Sequence, residues 1–154
     1  MNNQIKIVEF SDELAEHIKT LNYEWLKKYF KIEKGDIISL ENPRREIIEK
    51  GGHIFYVKLN NQIVGTASLI QKSETTFELG KMAIKGTAQG IGLGTKLLEH
   101  CLIFSEKQGV KHLILYSNSQ LKSAIHLYKK YGFYQVDLDQ GLYERADIKL
   151  ERKI

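Results

Sequence analysis

The chain has 154 residues, 42% apolar and 27% charged, with a formal net charge of +4 and a pI near 9.0. Such values suit one globular domain that buries a core without disulfides or a structural metal, and they exclude intrinsic disorder. The lysines are scattered, so the mild basic balance marks no nucleic-acid stripe and suits a phosphorylated ligand equally well.

Taken in order, the isoleucine- and valine-rich segment Gln4 to Phe10 reads as a strand, followed by Ser11 as a helix N-cap. From Asp12 to Phe30, Leu14, Ile18, Leu21, Trp25 and Leu26 recur at three- and four-residue intervals and predict one or two amphipathic helices. The single proline, Pro43, sits where a second helical piece can start near Asn42, to stop at Gly51. The stretch IFYVKLNNQIVGTASLI predicts a hairpin turning at Asn60 and Asn61, and a further strand spans Thr75 to Lys85. The turn from Gly86 to Gly94 opens a helix with Leu97, Leu98, Cys101 and Leu102 on one face and Gly109 as its stop. KHLILYSN then reads as a buried strand, and LKSAIHLYKKYG as a helix with Leu121, Ala124, Ile125, Tyr128 and Tyr131 on one face. Two closing strands are expected at Phe133 to Leu138 and Leu142 to Leu150. This order predicts an α+β fold on a central, mostly antiparallel sheet with helices on both faces. No repeat or linker divides residues 1–154.

Cys101 is the only cysteine, which removes any internal disulfide and suits a reducing compartment. His17, His53, His100, His112 and His126 lack metal-ligand spacing, so no metal is expected. Without a secretory h-region or a bilayer-length apolar run, the expectation is a cytoplasmic protein with no membrane partner.

The segment QGIGLGTK follows a strand and opens a helix. Backbone N–H groups converge at such a start without intrahelical partners, and glycines at 90, 92 and 94 let an anion approach them. The spacing is neither the G-x-G-x-x-G of a dinucleotide fold nor a P-loop, because Lys96 falls one residue late for the latter. A diphosphate is the ligand that fits; a turn without a ligand is the plain alternative.

Gln89, Gly92 and Gly94 match the Q/R-x-x-G-x-G/A signature of the GNAT acetyltransferases, and ELGKMAIKGTAQGIGLGTKLLEH resembles that family's whole cofactor motif. Downstream, LYSNSQLKSAIHLYKKYGF resembles the family's second motif, with its helix ending in Y-x-x-x-G-F. The likeness is close from Glu78 to Phe133 and holds in element order from Ile5 to Leu150. It implies a sheet splayed between its fourth and fifth strands, with acetyl-CoA held in the gap. The backbone of Met82, Ala83 and Ile84 would pair with the pantetheine arm. Gln89, Gly90, Ile91 and Gly92, and after them Leu93, Gly94 and Thr95, would take the pyrophosphate. Asn118, Ser123 and Tyr128 would line the far side of the cofactor. The late YERADIKLE also resembles a subgroup sometimes fused to winged-helix regulators, a module this sequence does not contain.

Acetyl transfer needs a deprotonated amine, a polarised thioester and a proton for the departing thiolate. Tyr128, placed by the Y-x-x-x-G-F match, is the expected acid. Glu78 is the expected base, four residues before Met82 and on the same strand face unless a bulge intervenes. The N–H of Met82 or Ile84 would stabilise the oxyanion. Cys101 on the apolar face reads as buried and inert, and His126 as a surface residue. Trp25, Tyr29 and Phe30 are candidates for a wall over the acceptor, and Tyr143 and Arg145 for holding an acceptor carboxylate or phosphate. The expected activity is direct N-acetylation of a primary amine on a small molecule, an amino acid or a peptide, and the resemblance allows a homodimer. The competing readings are a non-catalytic acyl-CoA-binding or regulatory domain and a nucleic-acid module. The latter rests only on charge and on Tyr/Lys-rich helices.

Overall fold

A computed structural model describes residues 3–139 and 143–154. Strand β1 (Ile5–Glu9) leads through a 3-10 turn (Asp12–Leu14) to helix α1 (Ala15–Tyr29), then α2 (Lys34–Glu41) and a wide helical turn at Arg44–Ile48. Strands β2 (His53–Leu59), β3 (Gln62–Gln71) and β4 (Thr76–Ile84) follow, then α3 (Leu93–Lys107), β5 (His112–Ser117) and α4 (Lys122–Lys130). Strands β6 (Tyr134–Val136) and β7 (Ile148–Lys153) close the chain. Among the described residues seven strands form one sheet in the order β1-β2-β3-β4-β5-β7-β6, antiparallel except for β4 beside β5. This is the α+β architecture read from the sequence.

Both faces of the sheet are covered, which is why β2 reads as an unbroken apolar run. Phe55 and Val57 join the core beneath α3 and α4, with Leu97, Leu98, Cys101 and Leu113. Ile54 and Tyr56 join a second core beneath α1 and α2, with Ile18, Leu26 and Leu40. The β2–β3 hairpin turns at Asn60 and Asn61, whose φ of 50° and 70° are the positive values such a two-residue turn requires.

Several expected boundaries change. Ser11 makes no side-chain cap bond, and the first helical residues form a 3-10 turn instead. The helical piece expected from Asn42 to Gly51 contracts to Arg44–Ile48, and α2 precedes it unannounced. Helix α2 exposes Ile37 and Ile38 and has no clean apolar stripe; a capping box of Glu33 and Asp36 starts it. The last strand begins at Ile148, because the backbone before it bonds elsewhere: the Glu144 N–H donates to Glu33, the Ala146 N–H to the Tyr143 carbonyl, and the Arg145 carbonyl accepts from Asn118. Leu142 lies outside the described residues.

The parallel pair is short. β4 and β5 are in register only at Thr76–His112, Phe77–Leu113 and Glu78–Ile114, after which they part. Beyond Glu78 one edge of β4 therefore has no strand partner, a ready template for an extended ligand.

Candidate active site

The gap between the parted strands opens into a cavity of about 280 Å³ that passes through the sheet. Met82, Ile84, Leu115 and Tyr128 line it on the side of α3 and α4, and Asn22, Trp25 and Phe30 on the side of α1. Gln89, the first residue of the glycine turn, also lines it, so the start of α3 stands at the rim.

A bulge in β4 shapes this cavity. Thr66 faces Ala83 and Ser68 faces Gly80, leaving Lys81 and Met82 together opposite Ala67. Lys81 has φ 52°, a left-handed conformation that costs a residue with a Cβ roughly 1–2 kcal/mol. Asn22, buried in α1, steadies the bulge by donating to the Lys81 carbonyl at 3.2 Å and to that of Ile18 at 2.9 Å. The extra residue also shifts the alternation of side chains. Met82 packs on the α3 core, whereas Glu78, paired with Ile70, faces the α1 core. Glu78 and Met82 thus lie on opposite faces, the outcome that a bulge produces.

Backbone directions follow from the register. The Lys85 N–H donates to Val64 on β3 at 2.7 Å, so by alternation Ile84 and Met82 turn their polar groups to the gap. Ala83, opposite Thr66, turns its own toward β3, which removes its backbone from the groups facing the gap. The Gln89 amide donates to the Ile84 carbonyl at 3.2 Å, so this side chain fastens the strand end to the turn.

At the start of α3, Gly90 and Gly92 hold φ of 85° and 83°. A Cβ built on Gly90, Gly92 or Gly94 would meet no atom within 4 Å, so the glycines leave open space before the helix. Gly92 caps α3 without a side-chain bond, which leaves the first-turn N–H groups free to take an anion. Leu93 is buried in the core and Ile91 is exposed, so in this turn it is the backbone that a ligand meets. A bare strand edge beside a helix start rich in free N–H groups is a donor set that fits the amides and the diphosphate of acetyl-CoA.

Tyr128 is half-buried with its ring edge-on to Phe133, and burial pushes its hydroxyl up to about 12, which keeps the proton on. Glu78 sits where the strands part, 8% exposed. Burial raises its carboxyl above the usual glutamate range, against the pull of Lys72 at 3.4 Å and of Lys81. Cys101 is fully buried and its thiol is pushed up to about 12, as befits an inert core residue. Asn118 lines the cavity but spends its side chain on the Arg145 carbonyl and the Gln120 N–H. Ser123 is exposed in the first turn of α4 and does not line the cavity.

On the α1 side Trp25 and Phe30 line the cavity, whereas Tyr29 is 42% exposed, does not line it and lies tilted against Trp25. Tyr143 and Arg145 also reach the cavity. Arg145 is not a free cation: it donates to Asp36 at both Oδ atoms (2.7 Å each) and to Glu33 at 3.0 Å. Lys81 Nζ donates to the Tyr143 hydroxyl at 2.7 Å and to Asp36 at 3.3 Å. Burial alone would raise the Asp36 carboxyl; the Arg145 guanidinium, a backbone N–H and Lys81 together hold it below the usual aspartate range. Asn22, Asp36 and Lys81, which line the cavity, and Glu33, which accepts from Arg145, were not singled out in the sequence. Only Asn22 carried a signal, as an amide on the otherwise apolar face of α1.

A sheet splayed at its one parallel pair, with a glycine-rich helix start at the mouth of the gap, defines the acetyltransferase class of α+β fold. The acetyltransferase (GNAT) family model matches residues 15–133, and the chain belongs to that family, whose members are acyltransferase enzymes that use acetyl-CoA. It is similar to the ribosomal protein bS18-alanine N-acetyltransferase of Haemophilus influenzae, with 36% identity over 86 residues, 56% of this chain and 58% of that one. The chain spans 32–58% of the length of the curated relatives it matches. Among solved structures, a GNAT-family acetyltransferase from Staphylococcus aureus MU50 superposes with a TM-score of 0.87 at 23% identity, covering 97% of this chain and 99% of the other. The PaiA N-acetyltransferase from Thermoplasma acidophilum, solved with coenzyme A, gives 0.78 at 21%, covering 98% and 99%. Among the described residues no helix is long and apolar enough to cross a membrane, and no cluster of metal-ligating side chains occurs.

Proposed function

We propose that the chain moves an acetyl group from acetyl-CoA to a primary amine by direct attack in a ternary complex. The observation that carries this reading is one cavity that joins the bare edge of β4 and Gln89, at the start of the glycine turn, to a protonated phenol and a buried carboxyl group. Acetyl-CoA supplies an acetyl thioester. The N–H groups of Met82 and Ile84 serve its extended arm, and one of them serves the carbonyl oxygen as charge develops there. The first-turn N–H groups of Leu93, Gly94 and Thr95 serve the diphosphate.

Glu78 takes a proton from the acceptor ammonium, directly or through water, and so frees the nitrogen lone pair. A C–N bond forms to the acetyl carbon as the C–S bond breaks. Tyr128 gives its phenolic proton to the sulfur that leaves, and the second proton that the nitrogen sheds on becoming an amide passes to the phenolate through water and restores the acid. The Haemophilus relative, named for an alanine of a ribosomal protein, supports an amine of amino-acid or peptide origin as acceptor.

The test is thiol release measured over a panel of amines with the wild type and with Tyr128→Phe. The expected outcome is saturable release with at least one amine, and a kcat about a hundredfold lower in the variant with an unchanged Kd for acetyl-CoA. Full turnover in the variant across pH removes Tyr128 as the acid. Acetyl-CoA binding without release for every amine, protein lysines included, replaces catalysis with a binding role.

A further inference from the structure

Among the described residues four charged side chains line the cavity: Asp36, Glu78, Lys81 and Arg145. An acceptor that carried a carboxylate beside its amine would need one of the two cations. Neither is available. Arg145 (side chain 18% exposed) is forked onto Asp36 and reaches Glu33 as well, while Lys81 (7%) is held between Asp36 and the Tyr143 hydroxyl. The faces of both cations are also covered, with Lys81 Nζ 4.6 Å and the Arg145 guanidinium 4.3 Å from the centre of the Tyr143 ring. Glu33 is pinned in turn by the Glu144 N–H at 2.8 Å, which fastens α2 to the segment before β7. The nearest cation to Glu78, Lys72, does not line the cavity.

A substrate carboxylate would therefore meet two paired cations that it can win only by displacing Asp36, and it would sit in the field of Glu78. Displacement is costly, because Asp36 is fully buried and would be left without its partners. From this geometry we infer that the acceptor is a primary amine whose neighbouring group is uncharged, such as a peptide or amide end, and that Asp36 excludes free amino acids by occupying both cations. The inference rests on the transferase reading above and sharpens the substrate class of the same site.

The experiment uses matched acceptors that differ only at the carboxyl: alanine against alaninamide, phenylalanine against phenylalaninamide, lysine against lysinamide. Acetyl transfer is expressed per free-base amine, so that differences in amine protonation cancel. The wild type is expected to favour the amide in kcat/KM by at least about tenfold. Asp36→Asn, which releases Lys81 and part of Arg145, is expected to lower that preference by about tenfold, and Glu33→Gln to lower it less. A preference is a ratio within one protein, so a general loss of activity in a variant does not mask it. Should Asp36→Asn fail to fold, the wild-type ratio and Glu33→Gln still decide. Equal use of both members of each pair, or preference for the free acids, overturns the inference while leaving the transferase reading intact. Absence of transfer to any amine overturns the transferase reading itself.

Discussion

The side of the cavity facing α3 and α4 and the side facing α1 and α2 are built from different materials. On the first, the groups offered to a ligand are largely backbone: the edge of β4 at Met82 and Ile84, and the helix start after Gly92. Their positions depend on a strand register and a turn conformation, so most side-chain changes leave them in place. On the second, the wall is held by Asp36, Lys81, Arg145 and Glu33, gathered from α2, β4 and the segment before β7. One family-wide cosubstrate can thus be kept by the backbone while the acceptor side varies by a few charges. Glu78 stands between the two, at the point where the strands part.

The largest effect should come from that shared residue. Glu78→Gln is expected to lower kcat by about a hundredfold, the usual scale for a lost general base. The wild-type rate should fall on the acid side at a pH above the usual glutamate range, since its carboxyl is raised, and this limb should vanish in the variant. Stability moves the other way. The folded chain holds the Glu78 proton to higher pH than the unfolded chain does, so stability falls as pH rises from the ordinary glutamate value through the raised one. At neutral pH the variant should therefore melt at a higher temperature, a gain that disappears in acid. A variant as active and as stable as the wild type would remove Glu78 from the division between the two sides.

Arg145→Met tests the acceptor side alone. It strands the carboxylate of Asp36, fully buried, with Lys81 as its remaining cation. Breaking a buried pair in this way costs about 3 kcal/mol, or roughly 10 °C in Tm for a chain of this size. Because the Asp36 carboxyl is held below its ordinary value, the lost stabilisation is present above that value and fades as pH falls through the depressed one. Melting curves at neutral and acid pH should show the gap between wild type and variant narrowing in acid. Acetyl-CoA titrations should give the same Kd for both proteins. A weakened Kd would mean that the two sides are coupled.

The same division explains what could be read from the sequence. The glycine turn, the start of α3, the hairpin at Asn60 and Asn61 and the helix carrying Tyr128 are local, each set by neighbours within a few residues. The splay between β4 and β5 came from two motifs in order and was found where they implied it. Trp25, Phe30, Tyr143 and Arg145 could be named from the sequence, but the ion pairs of the wall were not legible, because these bonds join residues 45 positions apart for Lys81 and Asp36 and 109 apart for Arg145 and Asp36. Nor did the sequence mark the bulge, since a lysine gives no sign of a left-handed backbone. Without the bulge, Glu78 and Met82 were expected on one face, and without α2 the only use to be seen for Arg145 was a substrate anion.

The backbone side can be broken with a pair of glycines that differ only in place. Gly92, at the start of α3, has φ 83°; Gly109, just past its end, has φ 75°. A Cβ at either would meet nothing within 4 Å, so alanine introduces the same left-handed strain at both sites and no clash at either. Each variant should lose about 1 kcal/mol of stability, the scale of that backbone penalty. Only at Gly92 does the added methyl stand beside the free N–H groups at the start of α3, those proposed to take the diphosphate, and relaxing the strain there would turn those groups away. Gly92→Ala should therefore weaken acetyl-CoA binding by about tenfold, because its methyl crowds the anion and because any part of the backbone strain that the free turn escapes by relaxing must be restored on binding. Gly109→Ala should bind like the wild type. Equal affinity in the two variants at equal loss of Tm would show that the turn is merely a helix start, and would leave the edge of β4 to hold the cosubstrate alone.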